Sequence, residues 1–381
     1  MLNKIKKIDW IITLILLALM AISYYVIHSA TSYTILYAGF EKTQLMYFGL
    51  GFFVVFSMLF IDYRIFLKLW WLFYLIGVAS LVLIFVLGDE INGAKGWFSI
   101  GRLSVQPAEV VKIFLIIGIA YLLGRRQGEL LRFRQDILPI GLFSIIPFAL
   151  VMAQPDLGNA IIYFVIVVGM LWMGNVKYWH ALIGIGIIVG ALMLFMFLFT
   201  SYNDEIKEFF VEHNKPHWYE RINTFVHPEE ASYDARLQSE NAQQAIGSGG
   251  LSGQGYLQGS MKNGGFIPYT YSDSIFVVIG EEFGFQGSAL LLLLYFMLIY
   301  RMIIVAFSCK DRRASYIIIG IVSMYVFQIF QNIGMMIGIM PITGITLPFI
   351  SYGGTSLMIN MFSIGIVFSI RAHQHQYELE D

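Results

Sequence analysis

Charge is scarce in this sequence. Only 13% of its 381 residues are Asp, Glu, Lys or Arg, against about 25% in an ordinary soluble domain. The net charge of −1 gives no electrostatic footprint for nucleic acid. A single cysteine, Cys309, excludes an intrachain disulfide and is expected to be a small packed residue. There is no internal repeat, no low-complexity tail and no separate soluble domain. No matched pair of broken apolar segments suggests an inverted-repeat transporter. His213 and His217 have the spacing of a helical metal pair, but no third ligand pattern accompanies them. They are expected to be surface residues.

Apolar residues are what the chain has in excess: 58% are hydrophobic, with a mean hydropathy of +0.71. They fall in blocks of about 20, the length an α-helix needs to cross a bilayer core. The blocks predict an all-α polytopic membrane protein with about ten transmembrane helices, at roughly 10–28, 44–61, 66–87, 107–123, 137–153, 157–173, 179–199, 285–307, 315–337 and 355–370. The N-terminus is similar to a signal peptide but lacks a small-x-small cleavage pattern, so a retained first helix is expected. If that terminus is cytoplasmic, its lysines Lys4, Lys6 and Lys7 share a side with Arg64, Lys68, Arg125, Arg126, Arg132, Arg134, Lys177, Arg301, Lys310, Arg312, Arg313 and Arg371. These are 15 of the 24 basic residues, on short turns where the positive-inside rule is strongest. Both termini are therefore expected in the cytoplasm. The outer face then holds a loop at 88–106, a short turn at 154–156, a large extracellular loop at 200–273 between spans seven and eight, and a segment at 338–354. The whole of 1–381 is read as one membrane domain.

Polar residues cluster on that outer face. In "GRLSVQPAEVVKIFLI", Pro107 suits the first turn of a helix, and Glu109 and Lys112 are spaced to pair across one face. Their pair is either a structural staple or part of a site, since intramembrane charges are functional suspects. Asp156 in "MAQPDLGNAII" is placed to cap the sixth span. "IGSGGLSGQGYLQGS" carries six glycines but no Lys-Ser/Thr and no βαβ context. It is no nucleotide loop; it is flexible, or its N–H groups face a diphosphate. "NDEIKEFFVEHNKPHWYERINTF" reads as an interfacial helix. Gln328, Gln331 and Asn332 are expected to make interhelical hydrogen bonds. "GIMPITGITLPFISYGGTSLMINMF" has two prolines, four glycines and no charge, so it should line a pocket or re-enter the membrane. In "PYTYSDSIFVVIGEEFGFQGS", Asp273 stands at the outer end of a span. Glu281 and Glu282 lie two to three turns further in, and at least one of them is expected to hold helices together, with Lys112 as the candidate partner.

Six segments together carry a close resemblance: "GAKGWFSIGRLSVQPAEVVKI", "QPDLGNA", "RINTFVHPEE", "QSENAQQAIGSGGLSGQG", "YSDSIFVVIGEEFGFQGS" and "NIGMMIGIMPITGITLPFISYGGTSLM". In content and order they resemble the shape, elongation, division and sporulation (SEDS) family, which includes RodA and FtsW. "PITGITLPFISYGGTS" and the short termini are more like the elongation branch. The resemblance implies a peptidoglycan glycosyltransferase of the bacterial cytoplasmic membrane. It would polymerise lipid II with a class B penicillin-binding protein, a transpeptidase, as partner within the elongation machinery. It implies Asp273 as the catalytic residue, and Glu109, Lys112, Asp156 and Arg221 as site residues. Arg102, Trp97, Gln106, Glu281, Ser351 and Tyr352, within or beside the same motifs, complete the candidates. The chain departs from the family pattern at Ser272 and Ser274, at Tyr271 and Tyr269 where His and Glu are common, and at Gln254 where Lys is common.

The implied reaction inverts at C1 and needs no covalent enzyme nucleophile, unlike retaining glycosidases with paired carboxylates. Asp273 would serve as general base. Arg221, Arg102, Lys112 or a divalent cation, Mg²⁺ or Mn²⁺, would balance the leaving diphosphate. No other cofactor is expected, and no metal ligands are assigned. Two alternatives stand beside this reading: a lipid II flippase, and a non-catalytic membrane scaffold for the transpeptidase.

Overall fold

The computed structural model describes residues 7–91, 94–100, 103–212, 219, 222, 223, 226 and 233–374. Helix α1 is Trp10–Thr31 and α2 is Phe40–Met58. A short α3, Arg64–Lys68, breaks at Leu69 before α4, Trp70–Leu87. Three short strands follow, β1 Asp89–Ile91, β2 Ala94–Ile100 and β3 Leu103–Val105, paired antiparallel in the order β1-β2-β3. Next come α5 Pro107–Gly124, α6 Leu138–Ala153, α7 Leu157–Met173 and α8 Tyr178–Ser201. The long loop contains α9 Asn203–Glu212, α10 Tyr233–Ser248 and the single turn α11 Ser260–Asn263. The chain closes with α12 Ile275–Phe307, α13 Arg312–Met336 and α14 Gly354–His373.

Among the described residues, eight helical stretches are long and apolar enough to cross a membrane, α6 counted with the helical turn Phe133–Ile137 ahead of it, and α7 is a shorter apolar helix. The remaining expected span, α2, opens with the charged pair Glu41 and Lys42. Burial sorts the helices. In α5 and α13, 78% of the apolar stretch is buried, against 6% in α8, so α5 and α13 form the centre and α8 the periphery. A helix apolar on every side and unburied has only lipid or another apolar surface to face. Close approach needs small residues: Gly51 of α2 lies against Met361, and Gly365 of α14 lies against Met58.

The basic end is built from the turns that the charge pattern groups together. Asp9 caps α1 and pairs with Arg301 and Arg371. The guanidinium groups of Arg125 and Arg313 lie 5.2 and 5.5 Å from the Tyr121 ring. Arg312 covers Gly128, and Arg126 pairs with Asp136 at 2.8 Å.

Two expectations need correction. The eighth span begins at Ile275, not 285, because α12 continues through a kink at Gly284 (φ 62°, ψ −156°). Only glycine adopts that backbone readily. The segment from the third to the fifth glycine of the loop, 250–255, is no free loop either. Gln254 N donates to Glu281 O (2.9 Å) and Gly255 N to Glu282 O (3.0 Å). In return, Phe285 N donates to Gly250 O (2.9 Å) and Gln286 N to Leu251 O (3.1 Å). The kink breaks the helical ladder, and the loop supplies the missing partners. A Cβ on Gly253 (φ +81°) would meet Glu282 O at 2.1 Å. The N–H groups of Gln254 and Gly255, at least, are therefore committed to α12 and do not face a diphosphate.

Candidate active site

Asp273 sits in the turn just ahead of α12 and is half-buried. It does not cap the helix; the capping position is Ser274, which makes no side-chain cap. Asp273 Oδ1 accepts from Ser272 Oγ at 2.8 Å. Its main-chain oxygen accepts from Asn332 Nδ2 at 2.8 Å, and the same amide donates to Ile345 O at 2.7 Å. Ser351 Oγ donates to Ser272 O (2.6 Å) and accepts from Leu347 N (2.8 Å). Tyr352 N donates to Tyr271 O at 2.8 Å. The irregular segment after α13 thus grips Tyr271 and Ser272, and Asn332 of α13 grips Asp273. Gln331 Nε2 fixes that segment in turn, donating to Pro341 O and Thr343 Oγ1. The α13 amides therefore serve a non-helical stretch rather than another helix, because its carbonyls have no ladder of their own.

Rings close the other side of the turn. Tyr352 stacks on Phe40 at 4.3 Å, and Tyr271 packs against Tyr37 at 4.6 Å. Burial pushes the Tyr271 phenol above its ordinary value, and the nearby Tyr37 and Asp273 add to the rise.

A second polar group forms where α5 meets α7. Asp156 caps α7, accepting from Asn159 N at 3.0 Å. Its Oδ2 accepts from Gln106 Nε2 and Asn159 Nδ2, each at 2.8 Å. Burial pushes the Asp156 carboxyl up against these bonds, and the Glu109 carboxylate adds to the rise. Lys112 and Glu109 pair at 2.8 Å, Lys112 with no exposure. The two groups share one segment: Gly158, two residues past Asp156, packs against Ile345 and Thr343 O, while Gly344 faces Asp273 Oδ2. Thr355 Oγ1 donates to Ser104 O, joining the β3 loop to the start of α14. Trp97 is half-buried on β2, opposite Asp89. Arg102, Arg221, His213 and His217 lie outside the described residues.

Glu281 and Glu282 do not pair with Lys112. They belong to a third group on α12, beside the loop. Lys262 Nζ donates to Glu282 Oε1 (2.7 Å), Ser29 Oγ (2.6 Å) and Ser29 O (3.0 Å). Glu281 accepts from Met261 N (2.6 Å) and Lys262 N (3.2 Å). All four side chains, Ser29, Lys262, Glu281 and Glu282, are buried. The reason is reach: α11 brings a cation and two N–H groups directly over the carboxylates, while Lys112 is already held by Glu109. Lys262 is the residue that sequence reasoning missed. Its only signal was a lone lysine among glycines.

This arrangement has known counterparts. The FtsW/RodA/SpoVE family model, described as "Cell cycle protein", matches residues 7–376. The chain belongs to the SEDS family. Within it, the chain is 30% identical to "Stage V sporulation protein E" of Bacillus subtilis (strain 168), over 95% of this chain and 96% of the relative. It is 31% identical to "Probable peptidoglycan glycosyltransferase FtsW" of Enterococcus hirae, over 97% and 94%. Among solved structures, it superposes on the Thermus thermophilus "Rod shape determining protein RodA" with a TM-score of 0.70 at 27% identity, covering 97% of this chain and 98% of that one. A chain from "Structural coordination of polymerization and crosslinking by a peptidoglycan synthase complex" gives 0.76 at 26% identity, with the same coverage. Like the SEDS family as a whole, it is a multi-pass protein of the bacterial cytoplasmic membrane.

Among the described residues, no three His, Cys, Asp or Glu side chains converge as a metal site. Mg²⁺ commonly needs only one or two protein carboxylates, so a lone half-buried carboxylate such as Asp273 is compatible with such an ion nearby.

Proposed function

We propose that this SEDS protein is a peptidoglycan glycosyltransferase that polymerises lipid II, with Asp273 as general base. The observation that carries the reading is the hold on Asp273. Its backbone is bonded to Asn332, and the residue before it to Ser351. Its half-buried carboxylate accepts a hydrogen bond from the Ser272 hydroxyl at Oδ1. A base must be positioned before it can be useful, and positioning on rigid elements is what such a site requires.

In the proposed step, Asp273 takes the proton from the GlcNAc 4-hydroxyl of lipid II. The freed oxygen attacks C1 of the lipid-linked MurNAc that ends the growing strand. The C1–oxygen bond to the lipid diphosphate breaks, and the diphosphate leaves with the electron pair. A single displacement inverts C1. Lys112 is a poor counter-charge for that diphosphate, being fully buried against Glu109. Arg102, Arg221 and a divalent cation, Mg²⁺ or Mn²⁺, are the proposed sources. Such an ion would supply Lewis-acid stabilisation of the leaving phosphates.

We also propose a class B penicillin-binding protein as partner, supported by the likeness to a chain of a peptidoglycan synthase complex. The elongation branch is proposed on "PITGITLPFISYGGTS"; loss of rod shape on depletion, without a block in septation, would support it.

The test is strand synthesis from lipid II by the purified protein with its partner, with and without EDTA. Asp273→Asn should abolish polymer while the protein stays folded. Transbilayer movement of lipid II that survives this substitution would favour the flippase. Full growth complementation by Asp273→Asn would favour the scaffold.

A further inference from the structure

At the basic end of the bundle, away from Asp273, a cavity of about 370 Å³ opens between the start of α1 and the ends of α12 and α14. Lys7, Arg301, Ile304, Val305, Ser308, Arg371 and Gln374 line it. Residues 301, 304, 305 and 308 fall on one face of α12 by helical spacing. Charge in the cavity does not balance. Asp9 is the neighbouring acid, 1% exposed. Its Oδ1 is used by the N–H groups of Ile11 and Ile12, and its Oδ2 by Arg301 and Arg371. Among the described residues, Lys7 Nζ donates to a carbonyl, Ala372 O, at 3.0 Å. Among the described residues, three cations therefore face one carboxylate, an excess of two positive charges. The arginine side chains remain 24% and 27% exposed, so they can be reached from outside.

We propose that this cavity binds the phosphate of an anionic phospholipid headgroup from the leaflet beside it. Three features favour that ligand. The cavity is small for a ligand pocket, whose usual range is about 300–1,000 Å³, which suits a glycerophosphate. It lies where three apolar helices end, and basic pockets between helices on this side of a membrane hold anionic headgroups. Ile304 and Val305 continue the wall with apolar surface for the first acyl carbons. The carbonyl ends of α12 and α14 oppose an anion, but a helix end counts as about half a charge, and Lys7 already covers Ala372 O. Gln374 lines the cavity, and its side-chain N–H groups are of the kind that donate to phosphate oxygens.

The experiment is native mass spectrometry of the delipidated protein with phosphatidylglycerol or phosphatidylcholine of equal chain length. Inorganic phosphate is added as competitor. One phosphatidylglycerol should be retained about tenfold or more over phosphatidylcholine, from about 1 kcal/mol per basic residue near the surface. Gln374→Glu keeps every ion pair and adds one negative charge to the cavity, and should weaken retention about tenfold. Lys7→Gln should weaken it about fivefold. Melting temperatures in phosphatidylcholine check that both variants are folded. Equal retention of the two lipids overturns the proposal, as does indifference to Gln374→Glu. Displacement by inorganic phosphate at equal concentration would make the ligand a free phosphate and also overturn it. Retention that disappears on deleting 375–381, which carries Glu378, Glu380 and Asp381, would move the binding to that tail with the same effect.

Discussion

Asn332 donates its side-chain amide to the main-chain oxygen of Asp273 at 2.8 Å. The same nitrogen reaches Ile345 O, so one fully buried residue of α13 ties the proposed base to the irregular segment that faces it.

Asn332→Leu keeps the volume but leaves both carbonyls without that donor. Leaving a buried polar group unsatisfied costs about 1–3 kcal/mol. Strand synthesis should fall at least tenfold, with the melting temperature lowered by only a few degrees. An unchanged rate would mean that the position of Asp273 does not depend on this bond.

Lys262 and Glu282 behave as a unit. Lys262→Met strands a buried carboxylate and should destabilise by about 3–5 kcal/mol, while a double change to apolar residues of similar volume should recover most of that loss. Thermal unfolding in detergent of Lys262→Met, Glu282→Leu and the double variant makes the comparison. A double variant as unstable as the sum of the singles would contradict the pairing.

Glu109 and Lys112 also pair while buried, and Lys112 is proposed as a brace and not as a diphosphate ligand. The double variant Glu109→Gln/Lys112→Met removes both charges together. Its KM for lipid II should stay within about threefold of the original. A tenfold rise in KM with the fold intact would return Lys112 to the substrate, since uniform binding loss appears in KM.

Gly284→Ala tests the docking of the glycine loop. A side chain there suffers backbone strain of about 1–3 kcal/mol, and its Cβ would lie 2.4 Å from Gly253 N. The amides of Gln254 and Gly255, now donating to α12, should exchange with deuterium at least tenfold faster. Unchanged exchange would show that the loop holds without the kink.

Much of this architecture was legible because a bilayer restricts the choices. Each of the ten predicted apolar blocks falls on helix, although the third is split at Leu69 and the eighth begins ten residues earlier than expected, and Pro107 and Asp156 start α5 and α7 as their local chemistry requires. The pairing of Glu109 with Lys112 followed from their spacing. What stayed hidden was long-range. Nothing near Lys262 announces Glu282, 20 positions away, or Ser29, 233 away. The helix α10 was read as loop because its low apolar content gives little periodicity; among its residues whose burial is described, only Ala242 and Ala245 are buried. The kink at Gly284 was missed because a glycine inside an apolar run looks the same whether or not the helix bends.

The most direct test of the account is the single-turnover rate of glycosidic bond formation by Asp273→Asn, measured at saturating lipid II with the partner present. Positioned general bases contribute about 10²- to 10⁴-fold. The account predicts a loss of at least a hundredfold, with lipid II binding and melting temperature unchanged. A rate within threefold of the original protein would contradict it.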